Sequence, residues 1–90
     1  MNKRALNEEI KKLMIEALDL RGKTEADIDD GAPLFGEGLG LDSLDALQLA
    51  MAIEERFAVT MPDGEAGKRA FASVDAISDW IVRARAGESR

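Results

Sequence analysis

The stretch that sets the fold lies in the middle of the chain and reads Asp42-Ser43-Leu44-Asp45-Ala46-Leu47-Gln48-Leu49-Ala50-Met51-Ala52-Ile53-Glu54-Glu55-Arg56-Phe57. Its start predicts a helix N-terminus, with Asp42 as the N-cap, Ser43 at the first helical position and Asp45 in the first turn. We expect the helix to reach about Phe57, a length of roughly 22 Å. Because few of its positions are polar, it should be a central element contacted on several sides, with one face left for a partner or an apolar cargo.

Two further long helices flank this one in the sequence. Residues 3–20 repeat apolar side chains at spacings of three and four, and Arg21-Gly22 is expected to end that helix. Ser73 is expected to cap the last helix. The apolar stripe of that helix, with a core tryptophan beside it, consists of Val74, Ile77, Ile81, Ala84 and Trp80.

The two connections between these helices differ in length. From Lys23 to Leu41 the chain forms a long loop, which we expect to be ordered because apolar side chains can anchor it to the core. These side chains are Leu34, Phe35, Leu39 and Leu41. Residues 60–63 form a second loop, with Asp63 as a plausible cap for a short helix over residues 64–69. Each glycine in that helix costs about 1 kcal/mol relative to alanine, so it should be the least stable element of an all-α domain.

The size and composition of the chain exclude several function classes. Ninety residues form one domain, which we assign to residues 1–85, with a flexible tail over residues 86–90. The chain has no cysteine and no histidine, which excludes disulfides, thiolate and imidazole metal sites and a cysteine nucleophile. A catalytic serine needs a nearby base, so Ser43 is a poor nucleophile by itself. It is a good candidate for a hydroxyl that another enzyme modifies.

Two short motifs do not support a ligand site. Gly36-Glu37-Gly38-Leu39-Gly40 lacks the lysine and hydroxyl residue of a phosphate-binding P-loop. Asp27-Ile28-Asp29-Asp30-Gly31 has glycine where a calcium loop needs its third ligand. We therefore predict no metal site, no catalytic residues and no enzymatic activity.

The distribution of charge predicts the kind of partner. The formal net charge is −6, and residues 25–65 carry eleven acidic side chains against one basic side chain. This acidic block should attract basic protein surfaces and repel nucleic acid. No apolar run approaches the length of a membrane span, so we expect a soluble, cytoplasmic monomer.

The pattern around Ser43 continues through most of the chain. It consists of Leu34-Phe35-Gly36-Glu37-Gly38-Leu39-Gly40-Leu41-Asp42-Ser43-Leu44-Asp45-Ala46-Leu47, Met51-Ala52-Ile53-Glu54-Glu55-Arg56-Phe57, Met61-Pro62-Asp63, Phe71-Ala72-Ser73-Val74 and Trp80-Ile81. Over roughly residues 5–83 this pattern closely resembles the acyl carrier proteins. The Asp-Ser-Leu core alone is a weak signal, whereas the whole run with these spacings is highly specific.

The resemblance implies a four-helix bundle with a long first loop and a short third helix. It also implies that Ser43 receives 4′-phosphopantetheine from coenzyme A through a phosphopantetheinyl transferase, and that the attached thiol carries acyl groups as thioesters. The chain's lack of cysteine agrees with this, because its thiol must come from a prosthetic group. Basic patches on the transferase and on acyl-transferring and chain-extending enzymes should contact a face of this helix formed by Asp42, Leu44, Asp45, Gln48, Met51, Glu54 and Glu55.

Departures from the family pattern leave the pathway open. Many fatty-acid carriers have acidic residues where this chain has Gln48 and Arg56, and the third-helix segment here ends in Lys68-Arg69. The cargo therefore belongs to fatty-acid synthesis or to a specialised lipid or polyketide pathway. A peptidyl or aminoacyl carrier and an unmodified acidic helical adaptor are the alternatives.

Small side chains suggest where an acyl chain could be sheltered. Ala46, Ala50 and Ala52 could leave room for it. The larger neighbours beside that room would be Leu47, Ile53, Met61 and Ile77. The alternative is that all of these residues simply pack a tight core.

Overall fold

The computed structural model describes residues 2–20, 22–35, 40–62 and 64–88, with side chains as far as Arg85. Its helices are α1 (Lys3–Ala17), α2 (Ser43–Phe57), α3 (Gly64–Ala70) and α4 (Val74–Glu88), with a short 3₁₀ helix over Glu25–Asp27. Within the described residues there is no strand, and a single isolated bridge pairs Phe35 with Leu41. The prediction of an all-α, four-helix domain with a long first loop and a short third helix is confirmed.

Helix α1 ends earlier than the sequence pattern indicates. Leu18 caps it, and Asp19 adopts the left-handed conformation with φ of 51°. The N–H of Leu20 then donates to the carbonyl of Ile15 at 3.0 Å, which closes a Schellman motif. The predicted end at Gly22 is therefore wrong, because an aspartate takes the position that glycine usually fills; Arg21 lies outside the described residues.

The helices are not arranged around α2 as predicted. Helix α1 packs extensively against both α2 and α4, and α3 packs mainly against α4. On α2 only Leu49, Ile53 and Phe57 are buried. The central position of α2 is thus a wrong prediction, because α1 takes that place and leaves one face of α2 open.

The long first loop is anchored to the core by Leu34, Phe35 and Leu41, as predicted. The predicted anchor Leu39 lies with residues 36–38 outside the described residues. Polar contacts hold the loop as well. The Lys11 ammonium pairs with the Asp30 carboxylate, and the N–H of Asp75 donates to the Asp30 carbonyl at 2.9 Å.

The last helix begins as predicted and ends later. The N–H of Ala76 donates to Ser73 Oγ at 3.1 Å, so Ser73 caps α4. Val74, Ile77 and Ile81 are buried, while Trp80 and Ala84 are half-buried against the core. Helix α4 continues to Glu88, past the predicted start of the tail, and the flexibility of residues 86–90 stays a prediction.

The short helix α3 forms over the predicted segment, and its proposed cap Asp63 lies outside the described residues. Gly67 is buried, and a Cβ added there would lie 2.8 Å from the Pro62 carbonyl oxygen. This glycine is required by the close approach of the helix to the preceding loop. That α3 is the least stable element stays a prediction.

Candidate functional site

Ser43 is the first residue of α2, and its side chain is exposed to solvent. The turn that presents it is closed by a capping box between the two neighbouring aspartates. The N–H of Asp45 donates to Asp42 Oδ1 and the N–H of Asp42 donates to Asp45 Oδ2, both at 3.0 Å. Because these bonds satisfy amides at the helix end, the predicted N-terminus is confirmed and the position of Ser43 is fixed.

The other serines with described side chains have structural roles. Ser73 Oγ accepts the capping bond of α4, and the fully buried Ser78 donates its hydroxyl to the Asp75 carbonyl at 3.0 Å. Within the described residues, no side-chain hydrogen bond engages Ser43. Its hydroxyl is therefore accessible to an enzyme that modifies it, whereas those of Ser73 and Ser78 are committed to the fold.

An open apolar groove of about 860 Å³ lies beside Ser43. One wall is formed by α2, and the opposite wall by α3 and the residues that precede and follow it. The principal lining residues, apart from Ser43 itself, are Phe35, Leu41, Ala46, Leu47, Ala50, Pro62, Gly67, Lys68 and Phe71. A groove of this size and lining can accommodate a hydrocarbon chain attached at its mouth.

The sequence identified part of this groove. Of the small residues expected to leave room for a chain, Ala46 and Ala50 line it and Ala52 does not. The larger neighbours Ile53, Met61 and Ile77 are buried in the core instead. For these three residues the alternative of a tightly packed core holds, because their side chains are buried, and the groove is lined instead by aromatic residues that precede α2 and follow α3.

A stripe of large apolar side chains is exposed on the outer face of α2. It consists of Leu44, Leu47 and Met51, which are 71%, 58% and 61% exposed. Their spacing of three and four residues places them on one side of the helix. Asp42, Gln48 and Glu55 are also exposed, and Asp45 is half-exposed. An apolar stripe bordered by acidic groups is the arrangement expected of a surface that binds a basic partner.

The C-terminal end of α2 is engaged within the molecule. The half-buried Glu54 accepts a hydrogen bond from the N–H of Met61 at 2.8 Å. Arg56 forms an ion pair with Glu9 of α1 at 2.8 Å and lies over the ring of Phe57. The sequence placed Glu54 and Glu55 on the partner face together, whereas the structure gives Glu54 an intramolecular bond and leaves Glu55 exposed.

The groups with clearly shifted pKa values lie away from Ser43. Hydrogen bonds from Lys11 and then Asn7 lower the pKa of Asp30, and the hydrogen bond to Asp79 raises the pKa of the exposed Lys3. Among the described residues, no group of three or more acidic side chains could hold a metal ion. No helix in the described part of the chain is long and apolar enough to span a membrane.

Comparison with protein families identifies a match over most of the chain. The sequence profile of the family described as "Phosphopantetheine attachment site" matches residues 8–81. This range covers well over half of the chain. It includes Ser43, both walls of the groove and the exposed stripe on α2.

Proposed function

The chain belongs to the phosphopantetheine-binding family of carrier proteins, and we propose that Ser43 is the residue to which its phosphopantetheine is attached. Proteins of this family carry 4′-phosphopantetheine covalently and are carriers rather than enzymes. They interact with the enzymes that modify them and with biosynthetic enzymes that act on their cargo.

The observation that carries this proposal is the exposed, unengaged hydroxyl of Ser43 at the mouth of an apolar groove. The surroundings fit the group, because open solvent accommodates the polar arm and the groove accommodates an attached chain. The first amides of a helix also have no partners within the helix and favour a phosphate beside them. The carboxylates of Asp42 and Asp45 oppose this, but each already accepts a capping bond.

The chemistry of attachment requires a separate enzyme. Ser43 Oγ forms a bond to phosphorus, the bond from that phosphorus to the adenosine bisphosphate of coenzyme A breaks, and the serine proton passes to a base. We expect the transferase to supply that base, since this chain has no histidine. Once attached, the group supplies the thiol on which cargo is carried as a thioester, a function that this cysteine-free chain cannot provide.

The lining of the groove favours an acyl cargo. Its surface is mainly apolar, with contributions from Phe35, Leu47 and Phe71. A hydrocarbon chain gains free energy by leaving water for such a surface, whereas the ammonium of an aminoacyl group would lose hydration there. This supports our proposal that the cargo is an intermediate of fatty-acid or specialised lipid and polyketide biosynthesis, rather than that of a peptidyl carrier.

The outer face of α2 is the proposed docking surface for partner enzymes. Leu44 and Met51 supply apolar contact area, and the acidic groups around them suit basic patches on a transferase or a chain-extending enzyme. The full set of proposed contacts is Asp42, Leu44, Asp45, Gln48, Met51, Glu54 and Glu55. Within it, Glu54 should contribute least, because its carboxylate already binds the loop after α2.

Intact-protein mass spectrometry tests the attachment site. The protein is incubated with coenzyme A, magnesium and a broad-specificity phosphopantetheinyl transferase. We expect wild type to gain one phosphopantetheine and Ser43→Ala to gain none. The matched control Ser73→Asn loses a hydroxyl but keeps a capping side chain, and it should be modified like wild type. Modification of Ser43→Ala would contradict the proposal, and no gain by folded wild type with several transferases would favour the adaptor.

A cavity-filling substitution tests the cargo. Ala50 lines the groove, so Ala50→Phe should reduce the protection of a long acyl thioester against hydrolysis. The control Ala66→Phe adds the same ring at an exposed position of α3 that does not line the groove, and it should leave the protection unchanged. Unchanged hydrolysis in Ala50→Phe would count against storage of the chain in the groove.

A further inference from the structure

The connection between α2 and α3 is held from two sides. Its described residues, 58–62, include two adjacent positions whose backbone groups bind side chains of different helices. The carboxylate of Glu54, on α2, accepts from the N–H of Met61 at 2.8 Å. The indole N–H of Trp80, on α4, donates to the carbonyl of Thr60 at 2.9 Å. Together these two bonds form a clamp on the connection.

The clamp acts on residues that lead into one wall of the groove. Pro62 follows Met61 directly and lines the groove. Gly67 of α3 packs so closely on the Pro62 carbonyl that a Cβ would lie 2.8 Å from it. Because of this close contact, a shift of residues 60–62 would also move α3. Helix α3 packs mainly against α4 and not extensively against α2, so the connection is a direct route by which α2 can influence the position of α3.

We propose that Glu54 and Trp80 are positioning residues that set the width of the groove and thereby determine how tightly an acyl chain is held. This inference rests on the proposed function, since it concerns the retention of cargo attached at Ser43. It separates the two adjacent acids of α2 by role. Glu55 is exposed and free to face a partner, whereas Glu54 is half-buried and directed at the backbone of the connection.

A thioester-protection assay tests the role of Glu54. A transferase that accepts acylated coenzyme A loads either octanoyl- or acetyl-phosphopantetheine, and hydroxylamine cleavage of each thioester is followed by mass spectrometry. The ratio of the acetyl to the octanoyl cleavage rate measures how well the longer chain is held. A purely structural weakening would leave this ratio unchanged when it is measured well below the unfolding temperature.

Four variants separate the clamp from charge and from partner binding. Glu54→Ala should lower the ratio by about tenfold, the loss expected for one charge-assisted hydrogen bond. Glu54→Gln keeps an acceptor for the Met61 N–H and should stay close to wild type. Glu55→Ala removes the neighbouring charge and should leave the ratio unchanged. Trp80→Phe keeps the ring but loses the donor to Thr60, so it should lower the ratio.

Two results would overturn the inference: an unchanged ratio in both Glu54→Ala and Trp80→Phe, or an equal loss in Glu54→Gln and Glu55→Ala. If Glu54→Ala fails to fold, Trp80→Phe is used alone: an unchanged ratio in this variant overturns the inference, and a lowered ratio supports it. Amide hydrogen exchange of Met61 provides a readout on the unmodified protein. It should be slow in wild type and Glu54→Gln and fast in Glu54→Ala. Failure of wild type to accept the octanoyl arm would instead count against the proposed function, and the Met61 exchange rates would still decide whether the clamp exists.

Discussion

The two halves of α2 differ in what their side chains contact. The first half presents Ser43, Leu44 and Leu47 to solvent and to the groove. The second half is tied to other elements, through Glu54 to the loop and through Arg56 to α1. The first half of α2 thus offers an open surface for modification and for partners. The contacts of the second half hold the helix in place.

This difference explains how a small domain can leave large apolar residues exposed and remain folded. Its stability comes from the buried side chains of α1, α4 and the inward face of α2, and the exposed stripe of α2 contributes little to it. Substitutions on the two faces of α2 should therefore affect different properties.

Truncation of a leucine on each face gives the sharpest contrast. Leu49 is fully buried and Leu44 is 71% exposed. Leu49→Ala should lower the free energy of unfolding by about 2–5 kcal/mol. Leu44→Ala should change it by less than about 0.5 kcal/mol, but should slow modification by the transferase. Urea titrations and modification rates measure the two effects. Equal destabilisation by both variants would contradict the division of α2 into two faces.

Gly67 tests whether the fit between α3 and the loop outweighs helix propensity. Alanine is the better helix former by about 1 kcal/mol, so propensity alone predicts that Gly67→Ala stabilises the protein. The close approach to the Pro62 carbonyl predicts a net loss of about 1–3 kcal/mol instead. Thermal unfolding followed by circular dichroism distinguishes the two, with Ala66→Gly, on the exposed side of α3, as the propensity control. A rise in melting temperature for Gly67→Ala would show that the loop at Pro62 moves to accommodate the added Cβ at little energetic cost.

Substitution of Asp42 tests how much the capping box at Ser43 contributes to the stability of the fold. Asp42→Ala removes the acceptor of the Asp45 N–H and should cost about 1 kcal/mol. Glu55→Ala, which removes the same charge elsewhere on α2, should cost far less. Urea unfolding of both variants is the measurement. Equal stability of the two would mean that the cap contributes nothing beyond its charge.

The pH dependence of stability tests the contacts that hold the long first loop. Lys11 and Asn7 lower the pKa of Asp30 below its ordinary value of 3.8, with a smaller contribution from Arg4. The folded state therefore binds this proton less readily than the unfolded state, and the stabilisation is present above pH 3.8. It is lost as the pH falls through the lower folded pKa.

Asp30→Asn removes this titration. The difference in unfolding free energy between wild type and Asp30→Asn should be small, because Asp30 is partly exposed. It should be constant from pH 5 to 7 and should shrink below pH 3.8. Chemical unfolding at pH 6 and at pH 2.5 tests this. A difference that does not change with pH would contradict the role of the Lys11 contact.

Much of the fold and the exposed serine could be predicted from the sequence, because both depend on local patterns. The N-terminus of α2 follows from Asp42 and Ser43, and the buried stripe of α4 follows from its spacing. The Schellman motif at Asp19 could not be predicted, because glycine usually occupies the left-handed position at a helix C-terminus. The central position of α1 and the hydrogen bond from the Met61 N–H to Glu54 could not be predicted either, because they depend on how separate segments pack.

The attachment of phosphopantetheine at Ser43 is tested most sharply by tandem mass spectrometry of wild-type protein after modification and trypsin digestion. Cleavage after Lys23 and Arg56 gives a peptide over residues 24–56, in which Ser43 is the sole serine and Thr24 the sole threonine. We expect phosphopantetheine on this peptide, with fragment ions that place it on Ser43. Phosphopantetheine on Thr24, or on the peptide over residues 70–83 that contains Ser73 and Ser78, would contradict it.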